Sequence, residues 1–389
     1  MRAPSDSSLS GSYAYTELKG VQYGPGCLSD ALPKFIEQFG VKRALVVTGR
    51  SLHTKTDVVR RVEAVLREHN AYSGETFWEI GEHSPVADID AGVSALKRSN
   101  ADVIVSVGGG SPVDASKVMI YRLHQESPET KFLPHIAIPT TLSAAEYASH
   151  AGYTNEKGSK VGISAPELSP AGIILDAELT LPTPERLWLS TGLRAVDHAV
   201  ESLYRPFVPQ PVKILCYAAL ADLFEYLRKS KANPNDIEAR QKLQVASWMS
   251  LWPLKLGEHV FAPHGLSHAL GHRLGATYRI GHGFTSCLTL PPSVALQAQT
   301  ASTEHKRALA ATLFYLRIPS TGNDDSDILR LSSEIEKLVT DLGLHTNLAS
   351  NGVPREDLPR IAEQAIGNLK DPRYKHDDLV KILESIYQN

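Results

Sequence analysis

What this 389-residue chain has little of narrows its possibilities first. It holds three cysteines, Cys27, Cys216 and Cys287. They are far apart and odd in number, which argues against a disulfide framework or a paired-cysteine zinc site and for reduced thiols in the cytoplasm. No apolar run reaches the roughly 18 residues of a membrane span, so no membrane partner is expected. The opening MRAPSDSSLSGS lacks the apolar core of a secretion signal and reads as a floppy leader. The net charge is only −3, which gives no reason to expect a nucleic-acid partner. There is no internal repeat and no low-complexity tract. What remains is an ordinary globular composition, 42% apolar and 21% charged, on a chain long enough for two domains.

Over residues 40–180, short apolar runs alternate with helical periodicity. RALVVT (43–48), ETFWEI (75–80), ADVIVSVGGG (101–110) and HIAIPT (135–140) read as strands. Between them, 56–70 carries Val58, Val59, Val62, Val65 and Leu66 on one side, and 86–99 carries Ile89, Val93 and Leu96. Strands alternating with helices predict βαβ units and a parallel sheet. After LTLPTPERL (179–187) the pattern becomes helical, over about 187–204, 210–230, 236–256, 264–274, 287–299, 303–316, 326–343 and 356–389. The expected architecture is an α/β dinucleotide-binding domain, 1–180, followed by an all-α domain, 181–389. The site is expected in the cleft between them.

Three motifs and one histidine cluster carry chemistry. In VSVGGGSPVDASK (105–117), a strand ends in Gly108, Gly109 and Gly110. Ser111 suits an N-cap, Pro112 the first helical position and Asp114 the first turn. Glycines allow close backbone approach, and free N–H groups at a helix start attract phosphate. A tight turn without a ligand is the plainer alternative, and the pattern is not the usual GxGxxG. PTTLSAAEYASHAGYT (139–154) offers hydroxyls to a nucleotide, or is a solvated loop. Lys160 beyond it is a surface lysine or a ligand contact. STGLRAVDHAVESLYRP (190–206) reads as a helix with Leu193, Val196, Val200 and Leu203 packed, on which Arg194 and His198 share a face. Asp197 and Glu201 point to other azimuths.

His264 to Gly283, HGLSHALGHRLGATYRIGHG, holds four of the fifteen histidines. His264, His268 and His272 fall at i, i+4 and i+8, which stacks them along one helical face. Such a row binds metal, moves protons or bonds substrate. The small neighbours Gly265, Ser267, Ala269, Gly271 and Gly275 are expected to leave room for a ligand.

Taken together, GGGSPVDASK, PTTLSAAE, IILDAELTL (173–181), GLRAVDHAVE and GLSHALGHRLGATYRIGHG resemble the group III, iron-containing alcohol dehydrogenases. These belong with maleylacetate reductases in a dehydroquinate synthase-like superfamily. The resemblance runs from YGPGCLSDAL (23–32) to about LPPSV (290–294). It implies a cytoplasmic NAD(P)-dependent oxidoreductase acting on a small molecule as a homodimer or larger assembly. It implies that Gly108, Gly109, Gly110 and Ser111 hold the cofactor pyrophosphate, with Asp114 supporting that loop or the nicotinamide side. Thr140 and Thr141 would contact the adenine side, and Lys160 would lie near the nicotinamide ribose. It also puts His198, His268 and His282 where the family binds iron or zinc, and His272 as a proton carrier in the cleft. His264 is left as structural.

Two departures from the family pattern shape the reading. Where the metal site has an aspartate four residues before the first histidine, this chain has Arg194, which cannot ligate a metal and repels one. Asp197 is discounted as a substitute because it points elsewhere on the helix. Metal-free chemistry is therefore preferred, with Arg194, His268 and His272 as the catalytic groups on a carbonyl or enone of an oxo acid. After RALVVT, Gly49, Arg50 and Ser51 replace the acid that many members use on the adenosine ribose, which favours NADP over NAD. The alternatives are a metal-dependent alcohol dehydrogenase, a non-redox lyase or dehydratase on the same scaffold, and a nucleotide-binding module without catalysis.

Overall fold

Three of the predicted strand runs form the centre of a doubly wound sheet, and the one expected over 75–80 lies at its edge, shifted to Tyr72–Phe77. The computed structural model describes residues 18–205, 208–252 and 265–388, with the backbone of 14–15 and 254–255. In chain order the elements of the first half are β1 (Ala14–Tyr15), β2 (Gly20–Tyr23), α1 (Leu28–Phe39), β3 (Ala44–Thr48), α2 (Arg50–Lys55), α3 (Val58–Glu68), β4 (Tyr72–Phe77), α4 (Val86–Arg98), β5 (Val103–Gly108), α5 (Gly110–Glu126), β6 (His135–Pro139), β7 (His150–Thr154), β8 (Lys160–Ser164) and β9 (Gly172–Leu175). Six strands pair in parallel in the order β2-β9-β6-β5-β3-β4.

Both faces of this sheet are covered, so β3 and β5 are buried at every position. Val46 and Val105 face α1 and α3, packing with Phe35, Val59 and Leu66. Leu45, Val47 and Ile104 face the other way, onto Ile89, Val93 and Met119 of α4 and α5. From β3 the chain crosses first to β4 on one side and then to β5 on the other. That reversal opens a crevice beyond the carboxyl ends of β3 and β5, where open α/β sheets bind ligands.

The second half is helical: α6 (Glu185–Tyr204), α7 (Gln210–Ala232), α8 (Ile237–Ser250), the short β10 (Leu254–Lys255), α9 (Leu266–Tyr278), α10 (His282–Thr300), α11 (Thr303–Ala310), α12 (Thr312–Tyr315), α13 (Asp324–Asp341), α14 (Leu358–Leu369) and α15 (His376–Ser385). α6 is not the one-sided amphipathic helix expected. It is buried at every position from Trp188 to Tyr204, with α7, α8, α10 and α11 around it. The helix expected over 236–256 ends at Ser250, and Leu254–Lys255 pairs antiparallel with Ala14–Tyr15. Among the described residues no helix is long and apolar enough to cross a membrane.

Candidate functional site

The glycine turn at the end of β5 is built by sterics. Gly108 has φ +139°, and a Cβ there would lie 2.8 Å from Pro112 Cγ, so only glycine fits. A Cβ on Gly109 would lie 3.1 Å from Thr141 Cγ2. Thr140 N–H donates to Gly108 O at 2.9 Å, and the Thr141 hydroxyl lies 3.0 Å from that of Ser143. The register Thr48 to Val107 brings Gly49, Arg50 and Ser51 out of the sheet beside this turn. The glycine turn, Thr140, Thr141 and the residues that follow β3 therefore lie at the same end of the sheet, whereas Asp114 and Lys160 are engaged elsewhere.

Two local expectations here are corrected. Helix α5 begins at Gly110 with Gly109 as its N-cap, two residues earlier than a Ser111 cap. The Ser111 hydroxyl instead accepts the His83 N–H at 3.2 Å, and its carbonyl accepts the Ser84 hydroxyl at 2.9 Å. Asp114 lies beyond the first turn. It accepts the Gly152 N–H at 3.3 Å and sits 3.5 Å from Lys117 Nζ, tying α5 to β7. Burial pushes its pKa up, against the pull of Lys117. The fully enclosed Lys117 donates to the carbonyls of Ala145 at 2.6 Å and His150 at 3.0 Å.

The histidine end is assembled from α6, α9 and α10. His268 Nδ1 lies 2.6 Å from Glu201 Oε2 and 3.3 Å from Asp197 Oδ1. Glu201 Oε1 accepts the Ser267 N–H at 2.7 Å and the Tyr204 hydroxyl at 3.0 Å. Asp197 Oδ2 accepts the hydroxyls of Ser267 at 2.8 Å and Ser286 at 2.6 Å. Arg194 Nη1 is 3.6 Å from Asp197 Oδ2 and donates to Ser286 Oγ at 3.3 Å. Asp197 thus belongs to the cluster, contrary to the expectation from its azimuth. It points away from His198 but toward α9, and helix packing supplies the partner. The i, i+4 spacing of Asp197 and Glu201, two carboxylates on one face of the helix, was the available signal.

Charge in this cluster is nearly balanced. Burial raises the Asp197 pKa, but His268 and Arg194 outweigh it and hold the carboxyl below its usual range. Burial and Arg194 depress His268, but Asp197 and Glu201 outweigh them and hold it above the ordinary histidine value. His198, His272 and His282 are driven well below that value by burial, with Arg194 adding to each. Burial also lowers Lys160 to about 8 and His150 to about 4.

The hairpin β7–β8, absent from the sequence reading, carries Lys160 across to the helical half, where its Nζ meets His282 Nε2. His83, with positive φ and no motif around it, also went unread; its ring lies edge-on to His282 at 5.6 Å. Ring centroids of His198–His268, His268–His272 and His272–His282 are 5.0, 6.3 and 6.0 Å apart. The expected trio His198, His268 and His282 does not converge as a ligand set. Among the described residues, the group whose ligand atoms lie within 4.8 Å of one another is Asp197, Glu201 and His268. His264 lies outside the described residues.

Gly265 and Gly271, expected with their small neighbours to leave room for a ligand, instead allow close packing. A Cβ on Gly265 would lie 2.7 Å from Glu201 Cδ, and one on Gly271 2.8 Å from Thr285 Oγ1.

Two family models match the chain: iron-containing alcohol dehydrogenase over residues 19–177, and the C-terminal region of the Fe-containing alcohol dehydrogenase family over 188–387. The chain belongs to the iron-containing alcohol dehydrogenase family. It is 28% identical to a maleylacetate reductase of Pseudomonas knackmussii over 94% of this chain and 95% of that one. It is 30% identical to a maleylacetate reductase of a Rhizobium species over 90% and 89%. A 1,3-propanediol oxidoreductase structure superposes with a TM-score of 0.86 at 25% identity, covering 97% of this chain and all of the other. The chain is accordingly an NAD(P)-dependent oxidoreductase with a small-molecule substrate. The Arg194 guanidinium lies 3.6 Å from Asp197, one of the three residues whose ligand atoms converge.

Proposed function

We propose that this enzyme reduces a carbonyl or enone borne by a carboxylic acid, an oxo acid of the maleylacetate type, without a metal in its histidine cleft. The observation that carries this reading is the buried Arg194, only 7% exposed, paired with Asp197 beside His268. Two cationic groups, Arg194 and His268, face two carboxylates, Asp197 and Glu201. A divalent ion at Asp197, Glu201 and His268 would have to displace the proton between His268 and Glu201 and sit beside a fixed guanidinium.

A bound nicotinamide supplies the hydride. Arg194 binds the substrate carboxylate, or the oxygen that gains negative charge, where a planar cation in a dry cleft acts most strongly. His268 holds a proton against Glu201, and the neutral His272 beside it carries protons to the substrate oxygen. Gly108 to Ser111 cradle the pyrophosphate, Thr140 and Thr141 line the adenine side, and Lys160 meets the nicotinamide ribose. Arg50, with no acid at the end of β3, favours NADP(H). The division near residue 180, with the site in the cleft, and a homodimeric or larger assembly complete the reading. The unpaired Cys27, Cys216 and Cys287 support a cytoplasmic setting.

Arg194→Ala is the test. Its kcat/KM for oxo acids falls about a hundredfold, while the protein stays folded. Near-normal turnover on oxo acids sinks the role of Arg194. The convergence of Asp197, Glu201 and His268 favours a second reading, a metal-dependent alcohol dehydrogenase. Stoichiometric iron or zinc in protein purified without chelator, with activity lost on its removal, would establish that one instead.

A further inference from the structure

The nucleotide end of the crevice holds an aromatic platform that the reaction itself does not require. The register Val47 to Phe77 brings Trp78, one residue beyond β4, alongside the start of α2. Arg50 and His53, three residues apart on α2, both rest on it. The Arg50 guanidinium carbon is 5.3 Å from the Trp78 ring centroid, and the His53 ring stacks on it at 5.2 Å with planes 13° apart. Arg50 is exposed, and the Nδ1 of His53 is enclosed without a hydrogen-bond partner. Leu52, between them, reaches within 3.8 Å of the Cβ position of Gly108, so this group borders the glycine turn. An exposed arginine normally samples many rotamers. An indole beneath it restrains the guanidinium while leaving its N–H fork unspent.

We propose that Trp78 is a positioning residue for cofactor choice, holding Arg50 ready for the 2′-phosphate of NADP(H). The proposal rests on the NADP(H) reading above. A phosphate dianion takes a paired guanidinium contact, whereas a ribose hydroxyl gains little from one. Fixing Arg50 in advance removes an ordering cost from binding the phosphorylated cofactor alone.

The test compares wild type, Trp78→Ala, Trp78→Phe and Arg50→Ala in two measurements. These are kcat/KM with NADPH and with NADH, and calorimetric binding of adenosine 2′,5′-bisphosphate and of 5′-AMP. The wild type prefers NADPH. Trp78→Ala raises the NADPH KM and weakens bisphosphate binding by about three- to tenfold, leaving kcat, NADH kinetics and 5′-AMP binding unchanged. Trp78→Phe keeps a ring face and retains most of the preference. A wild type that prefers NADH overturns the NADP(H) reading and this inference together. A preference lost in Arg50→Ala but kept in Trp78→Ala overturns the platform alone. Equal weakening of both adenosine ligands in Trp78→Ala marks Trp78 as merely structural and also overturns it.

Discussion

Asp197 Oδ2 lies 3.6 Å from Arg194 Nη1, and no part of the Asp197 side chain reaches solvent. Removing one member of a buried pair leaves the other charge uncompensated, which costs more than the pair contributes. Asp197→Ala is therefore expected to lose about 3–5 kcal/mol of stability in urea unfolding. Arg194→Met should lose less, because Asp197 keeps Ser267, Ser286 and His268 as partners. Equal stability of Asp197→Ala and wild type would mean that the pair is not what makes the buried arginine tolerable.

Glu201 reaches the reaction only through His268. Glu201→Gln keeps the shape and can still accept from Ser267 and Tyr204, but it loses the charge facing His268 Nδ1. The expected result is a fall in kcat of about a hundredfold with the cofactor KM unchanged. A purely structural role would move both parameters together with the unfolding midpoint, and steady-state kinetics beside a denaturant curve separates the two.

The parts of the fold legible in the sequence are those where one physical signal dominates. β3 and β5 are buried on both faces and read as unbroken apolar runs; α3 and α4 bury one stripe and show it. The hairpin of HAGYT and KVGIS is half-exposed and glycine-containing, so neither alternation nor burial marks it. The glycine turn was legible because a strand ending in three glycines has few uses. The cluster around His268 was read only in part. Spacing along α6 gives the azimuth of Asp197 and Glu201, but which helix meets that face is decided by packing across about 70 residues of chain. Trp78 is placed by the register of β4, and His83 by hydrogen bonds from the loop beyond it to Ser111 and Thr154; no local pattern reveals either.

Glu146 offers a test by pH. It is buried in the PTTLSAAE segment, and burial raises its pKa to about 7 from the usual 4.5, with Lys117 only partly offsetting this. Between those values the folded state holds a proton that the unfolded chain has released, so this group's contribution to stability is present below pH 4.5 and lost as pH rises toward 7. Glu146→Gln cannot titrate. The stability of the variant relative to wild type should rise from pH 5 to about pH 7 and then level. Urea midpoints of both proteins across that range measure it, and a constant difference would show that Glu146 is ionised throughout.

Gly283, the second residue of α10, tests whether close helix packing sets the site. A Cβ there would lie 2.5 Å from both the carbonyl carbon and the oxygen of Ser190 on α6. That obstruction is backbone, with no flexible end to swing aside, so α6 and α10 must separate. Gly283→Ala is expected to cost about 1–3 kcal/mol or more. Activity should fall further than stability accounts for, because α6 carries Arg194 and α10 carries His282 and Ser286. Gly281→Ala is the control. Its Cβ would meet only Phe284 Cδ2, at an ordinary 3.7 Å, and its φ of −56° suits any residue. Thermal unfolding and kcat/KM of the two variants should therefore diverge sharply. If Gly283→Ala matches Gly281→Ala in both, the approach of α10 to α6 is not what holds Ser286 against Arg194 and Asp197.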